Sequence, residues 1–209
     1  MLILSALSTA VPTLFAPYTS EFLVLMWNAL RDPNAQLRAR AITAFRAVLL
    51  SVAQREASWR RALLLGVYKQ VHALLVAPRS APHELHGALA VLDVMLEQAP
   101  AALSREAPAI CRAVLSQKDS RSPLVASTVL ALIPRLAALA TDLFVRHYLA
   151  ACVEHLLQAA RTHAQDVAFV ALGELALAVG DAMLPHLPPL VNELHAALSA
   201  MDKPAKAKA

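Results

Sequence analysis

Residues 29–53 read ALRDPNAQLRARAITAFRAVLLSVA. One apolar helical segment ends, an Asp-Pro pair turns the chain sharply, and a second amphipathic segment starts with an Arg in its first turn. A chain that folds back on itself this way buries each helix only against its neighbours. The expected architecture is therefore a stack of helical hairpins, and such solenoids usually bind rather than catalyse.

Composition agrees with many short helices. The apolar share is 58% of 209 residues, mostly Ala, Leu and Val, with four Gly. Ala and Leu lose little side-chain freedom in a helix. The 13 Pro would break one long helix but suit first turns and connections. No alternating strand pattern interrupts the sequence.

Turn signals divide the chain into segments. Helices are expected over 2–10, 18–30, 33–54, 58–76, 83–98, 103–117, 123–140, 142–161, 166–180 and 189–201. The second has Phe22, Leu25, Met26 and Leu30 on one side, with Trp27 in the core. Asp32 is expected to cap the third and Pro33 to open it, its apolar face being Leu37, Ala41, Ala44, Phe45, Val48 and Val52. Leu85, Leu89, Leu92 and Leu96 mark the fifth. Pro108 lies near the start of the sixth, Ser122-Pro123 repeats the cap-plus-proline device, Thr141-Asp142 caps another helix, and Gly180 closes one. Second helices of successive pairs begin near 33, 83, 123 and 164. Spacings of about 40 to 50 residues fit two-helix repeats of the HEAT and armadillo kind. The fold class is thus all-α, a right-handed α-α superhelix over 1–200 with about four hairpins and partial repeats at the ends. A basic, disordered tail over 201–209 follows.

Charge and hydropathy exclude several classes. The net charge of +4 is small, and Lys203, Lys206 and Lys208 supply much of it. There is no basic stripe with interleaved aromatics, so no nucleic-acid partner is expected. Mean hydropathy is high at +0.51. The apolar runs are nevertheless broken by Pro134 and Arg135 or by Glu174, so no direct membrane insertion is expected. The start MLILSALSTAVPTLFA lacks the basic flank of a signal peptide. Cys111 and Cys152 form no CxxC pair and are expected as buried thiols.

Catalytic and cofactor signatures are missing from the sequence. His83-Glu84-Leu85-His86 is the closest approach to a metal motif, but its second His comes at i+3 rather than i+4. Gly66, Gly87, Gly173 and Gly180 compose neither a dinucleotide fingerprint nor a P-loop. We therefore expect no catalytic residue, no cofactor and no metal. Trp59, Arg60 and Arg61 form a candidate protein-binding spot, since Trp and Arg dominate such spots. The plainer reading of the trio is a packed Trp beside a solvated Arg pair.

The run Asp32, Pro33, Leu37 and Arg38 resembles the start of a HEAT second helix. In that family the Asp and Arg form a ladder between repeats. Arg38 falls at the edge of the apolar face and needs a buried or half-buried acceptor. VALGELA over 170–176 resembles another HEAT second helix, with Gly173 allowing close helix approach.

The longer segments ALRDPNAQLRARAITAFRAVLLSVAQRE, ELHGALAVLDVML, ALIPRLAALA and VALGELALAVGDAMLPHLPPLVNELHAAL follow one another as in the N-terminal HEAT region of target-of-rapamycin kinases. The resemblance covers nearly the whole chain, and AQRE and HGAL are its more specific parts. It departs from the family in a short loop between the second and third pairs, and it carries no kinase domain, so a segment of a larger protein is expected. The resemblance implies a parent serine/threonine kinase in nutrient and growth signalling. This stretch would be its scaffold, docking a raptor-type subunit or other parts of the same kinase. It would reside in the cytoplasm, with recruitment to endomembranes through partners. The matched positions Asp32, Arg38, Pro134 and Gly173 read as fold determinants. The alternative is a free-standing HEAT-repeat adaptor that binds another protein. On the scaffold reading, apolar faces at Leu2, Ile3, Leu4 and Leu7, and at Leu190, Leu194 and Leu198, await further repeats.

Overall fold

The computed structural model describes residues 6, 10, 16–53, 56–162 and 164–201. Of the expected helix over 2–10 only Ala6 and Ala10 are described; Leu2, Ile3, Leu4 and Leu7, and the tail beyond 201, lie outside the described residues.

All regular elements among the described residues are helical. In chain order they are α1 (Thr19–Leu30), α2 (Ala35–Ala53), α3 (Ala57–Val76), α4 (Pro82–Gln98), α5 (Pro100–Leu103), α6 (Ala107–Leu115), α7 (Pro123–Leu139), α8 (Thr141–His147), α9 (Leu149–Ala160), α10 (Gln165–Val179) and α11 (Leu187–Met201). Short 3-10 turns occupy Ala16–Tyr18, Ser104–Glu106 and Gly180–His186. The architecture is an all-α solenoid of helical hairpins, as the sequence led us to expect.

Two compact units divide within α7, after Val129. In the first unit α1 folds back on α2 and α3 on α4, each across a short connection. Across hairpins, α4 lies against α2 and α6 against α3. The buried face of α2 is Ala41, Ala44, Phe45, Val48, Leu49 and Val52, which is helical spacing on one side. Each large apolar side chain buried there contributes about 1.5–3 kcal/mol. Along α4 the expected Leu85, Leu89, Leu92 and Leu96 are all buried. Gly87, Ala88, Val91, Val94 and Met95 are buried as well, so this helix is enclosed on several sides.

In the second unit α9 packs on α10, α8 touches both, and α11 rests on α9. Leu156, Leu175 and Phe144 are fully buried there. Gly180 ends α10 with φ at +56° and donates its N–H to the Ala176 carbonyl. That left-handed backbone favours glycine, so the expected closing residue is the observed one.

Several local expectations are corrected. Helix α2 begins at Ala35, and its cap is Asn34 rather than Asp32. The Asn34 Oδ1 accepts the N–H groups of Gln36 at 2.9 Å and Leu37 at 3.4 Å. Asp32 instead accepts the Asn34 N–H at 2.8 Å, an Asx turn that carries Pro33 outside the helix. Leu25 faces out at 56% exposure, because Phe22, Met26, Ala29 and Leu30 already form the buried side of α1. Trp27 is half-buried rather than core.

The expected helix over 103–117 is broken into α5, a 3-10 turn and α6. Pro108 has no N–H to continue a helix from Ser104, so α6 starts only at Ala107. The expected helix over 142–161 is likewise split at Tyr148, whose φ of −129° leaves the helical region. Thr141 does not cap: its hydroxyl donates back to the Ala137 carbonyl at 3.0 Å. Pro134 does sit inside α7, which runs on to Leu139.

Candidate interaction surfaces

The first turn of α4 joins the two hairpins of the first unit. Glu84 accepts from Arg31, at the end of α1, through Nε at 2.7 Å and Nη2 at 2.6 Å. Its other oxygen accepts the Ala81 N–H at 3.1 Å. That backbone bond, and then Arg31, hold the Glu84 carboxyl below its usual range. The carboxylate also lies where the α4 dipole favours a negative charge.

Two residues on, the Arg38 guanidinium of α2 reaches α4 and its own turn at once. Arg38 is only 3% exposed. Its Nη1 donates to the carbonyls of Asp32 and Pro33, both at 2.8 Å, and its Nε donates to His86 Nδ1 at 3.3 Å. The acceptor expected for Arg38 is therefore present. It is not the Asp32 carboxylate of the family ladder but two backbone carbonyls and an imidazole from the next hairpin. Burial first, and the Arg38 charge second, hold the His86 pKa below its ordinary value.

The next residue along α4, Gly87, meets the end of α1. A Cβ at this position would lie 2.2 Å from the Leu30 carbonyl oxygen, so only glycine fits. The sequence points instead to Gly173 for a close helix approach. That glycine is exposed, and a Cβ there meets nothing within 4 Å. At the far end of the same helices, Arg46 of α2 pairs with Glu97 of α4. The links 38 to 86 and 46 to 97 advance together, so α2 and α4 run parallel. Parallel second helices are what stacked hairpins require.

Other expected positions are ordinary. Leu37 is half-buried and Pro33 exposed. Trp59, Arg60 and Arg61 share the first turn of α3. Trp59 is 38% exposed, Arg61 is exposed, and Arg60 donates to the Ala53 carbonyl at 2.6 Å.

No sequence signal singled out His86 or Gly87 for these roles. Their meaning depends on contacts about fifty residues away. The HGAL element of the resemblance was the nearest pointer.

The second unit presents a different surface. On α11, Leu187, Val191, Leu194 and Leu198 recur at helical spacing and are 36%, 45%, 39% and 59% exposed. Leu190, Glu193 and Ala197 are the half-buried side. Arg161 at the end of α9 holds Glu193 at 2.7 Å. Of the expected face, Leu194 and Leu198 are exposed and Leu190 is not, because it belongs to the inner side. On α10, Val170 and Leu177 are also exposed, at 61% and 87%. The helical run Gln165–Ser199 is long and apolar enough to cross a membrane by length and composition alone. Gly180 and three prolines interrupt it, and Asp166, Glu174, Asp181 and Glu193 lie along it.

Chemistry-bearing groups are dispersed. Among the described residues no group of three or more His, Cys, Asp and Glu is arranged to hold a metal ion. His86, in the nearest motif, is committed to Arg38. Cys111 and Cys152 are both buried, and burial pushes the Cys111 pKa up to about 11. A groove of ≈ 630 Å³ between the end of α3 and α6 is lined by His72, Arg112 and Gln117 among others. There Gln117 already donates to the Leu75 carbonyl and Arg112 to the Pro108 carbonyl.

Comparison with known proteins gives several relatives. The chain is 33% identical over 202 residues to the serine/threonine-protein kinase TOR of Oryza sativa subsp. japonica, and 95% of the chain is covered. It is 32% identical over 201 residues to the Arabidopsis thaliana protein of the same name. A stretch of 101 residues, 47% of the chain, is 40% identical to the serine/threonine-protein kinase mTor of Drosophila melanogaster. The chain spans about 8% of the length of the two plant relatives. No family model matches it.

Proposed function

We propose that this chain, a homologue over 95% of its length of one segment of the target-of-rapamycin serine/threonine kinases, acts as a HEAT-type scaffold segment of such a kinase. It supports complex assembly and docks an accessory subunit, a raptor-type protein or other parts of the same kinase, in nutrient and growth signalling. It contributes no catalytic residue of its own. It works in the cytoplasm, and partners carry it to endomembranes.

One observation carries the reading. The α11 stripe of Leu187, Val191, Leu194 and Leu198 offers apolar area at regular helical spacing. An apolar stripe beside a polar rim suits a second helical surface, because burying it is favourable at about 25 cal/mol per Å².

The test uses the endogenous protein, tagged and purified. Val191→Glu and Leu194→Glu together should lower the recovered accessory subunit and the co-purifying kinase activity at least about tenfold, the equivalent of about 1.4 kcal/mol. The helical melting midpoint should stay put. Unchanged recovery would overturn the reading. So would a variant that loses binding to anionic phospholipid vesicles and keeps every protein partner.

A further inference from the structure

The groove of ≈ 630 Å³ between the end of α3 and α6 lies wholly within the first unit. One wall is Ala109, Arg112 and Ala113 of α6, with Ser116 just past its end. These recur at helical spacing, so Arg112 stands on the α6 face that lines the groove. The other wall is His72, Leu75 and Val76, again one side of a helix. Leu85 of α4 adds a further apolar side chain, and Val76 is 56% exposed although apolar.

Charge in this groove is one-sided. Its lining holds a guanidinium and an imidazole and no carboxylate. Arg112 Nε donates to the Pro108 carbonyl at 3.3 Å, and no carboxylate among the described residues pairs with the guanidinium. Arg79 is exposed between two lining residues, Pro78 and Ser80, and has no carboxylate partner among the described residues either. Arg31, Arg46 and Arg161, by contrast, each hold a glutamate. The carboxylates next to the lining in the chain are engaged: Glu84 holds Arg31 and Asp119 holds Lys118.

The end of α3 would by itself repel an anion, because its last carbonyls carry partial negative charge. Two of them are already paired. Ser80 Oγ donates to the Leu74 carbonyl at 2.7 Å, and Gln117 Nε2 to the Leu75 carbonyl at 3.0 Å. Ser116 Oγ donates to the Ala113 carbonyl at 2.8 Å. The neutral donors are thus committed to backbone, and the arginines are left for carboxylates of a ligand. The volume falls within the range of about 300–1,000 Å³ usual for binding clefts. No Phe, Tyr or Trp lines the groove, so it lacks the stacking platform of a single-stranded nucleic-acid site.

We propose that this groove docks an acidic linear segment of a partner protein. A Leu or Phe of the segment packs on Leu75, Val76 and Leu85, and flanking Asp or Glu carboxylates meet Arg112 and Arg79. The proposal does not rest on the scaffold reading, which the α11 stripe of the second unit carries.

The test is a titration of the isotopically labelled full chain, followed by NMR, with three matched capped peptides. The first has a central leucine with two glutamates on each side. The second has glutamine at every acidic position, and the third has glycine in place of the leucine. The first should bind and shift the amides of residues 72–80 and 109–117. The second and third should each bind at least about tenfold more weakly. Raising salt from about 0.05 to about 0.5 M should weaken the first. Arg112→Gln should weaken the first peptide about tenfold and leave the second unchanged, with Arg112→Lys recovering part of the loss. Val76→Glu should abolish binding by placing a carboxylate in the groove. Both side chains are exposed, so the helical melting midpoint should stay put in these variants. Equal affinities for the first two peptides would overturn the proposal, as would binding of neither or an Arg112→Gln variant that binds unchanged. Arg112-dependent binding of anionic phospholipid vesicles, with no binding of the first peptide, would also overturn it.

Discussion

Arg38 Nε donates to His86 Nδ1 across 3.3 Å, from the second helix of one hairpin to the second helix of the next. The imidazole must then be neutral, with its proton on Nε2, because Nδ1 is the acceptor. This bond also places an always-charged guanidinium against a titratable group inside a hairpin junction. Protonation of His86 would remove the acceptor and set two cations face to face.

The first consequence is a pH dependence of stability. The folded pKa of His86 lies below its unfolded value of about 6.5. Above that pH the group is neutral in both states and contributes no slope. As pH falls below it, the unfolded chain takes up the proton first and stability is lost, at most about 1.4 kcal/mol per pH unit for one proton. Urea unfolding at pH 7.5 and pH 5.5 should show this loss. His86→Asn keeps an acceptor near Nδ1 and should lessen the slope. An equal slope in the variant would contradict the assignment.

Arg38 itself should be hard to replace. Arg38→Met leaves the Asp32 and Pro33 carbonyls and His86 Nδ1 without their donor, at a cost of about 2–4 kcal/mol in denaturant unfolding. Arg38→Lys should recover only part of this, because one ammonium cannot reproduce the fork of donors. Full stability in the lysine variant would mean that the fork geometry is unimportant.

Two glycines should respond with opposite signs to the same change. Gly87→Ala drives a methyl against the Leu30 carbonyl and should destabilise by about 1–3 kcal/mol or more. Gly173→Ala adds a methyl into open space on the exposed side of α10 and should stabilise by about 0.5–1 kcal/mol. Thermal melting of both variants decides it. Destabilisation of both would mean that Gly173 does have a close neighbour.

The Cys111 thiol, with its pKa pushed up to about 11 by burial, should resist alkylation at pH 8 in the native chain. Maleimide labelling followed by mass spectrometry should show slow modification without denaturant and fast modification with it. Rapid native labelling would mean that α6 opens readily or that its packing on α3 is wrong.

Much of the first unit was legible because its signals are local. The Asp-Pro turn announced a hairpin, and the leucines of α4 fell at helical spacing on a face that is buried. The misassignments arose where a second, equally local solution existed. Asn34 offered a better-placed cap oxygen than Asp32, and Thr141 found the Ala137 carbonyl within its own reach. Leu25 read as core because apolar residues surround it, yet α1 needs only one buried side. The junction was less legible for a different reason. Glu84, His86 and Gly87 acquire their roles from Arg31, Arg38 and Leu30, and no spacing within α4 reveals those partners.

The central claim is that this sequence serves as a scaffold segment of a target-of-rapamycin-type kinase. The most direct measurement is the mass of the endogenous polypeptide containing it, read by mass spectrometry together with full-length cDNA from the source. The account predicts a very large product whose sequence continues into a kinase domain. A stable product of only these 209 residues would contradict it and make the chain a free-standing adaptor.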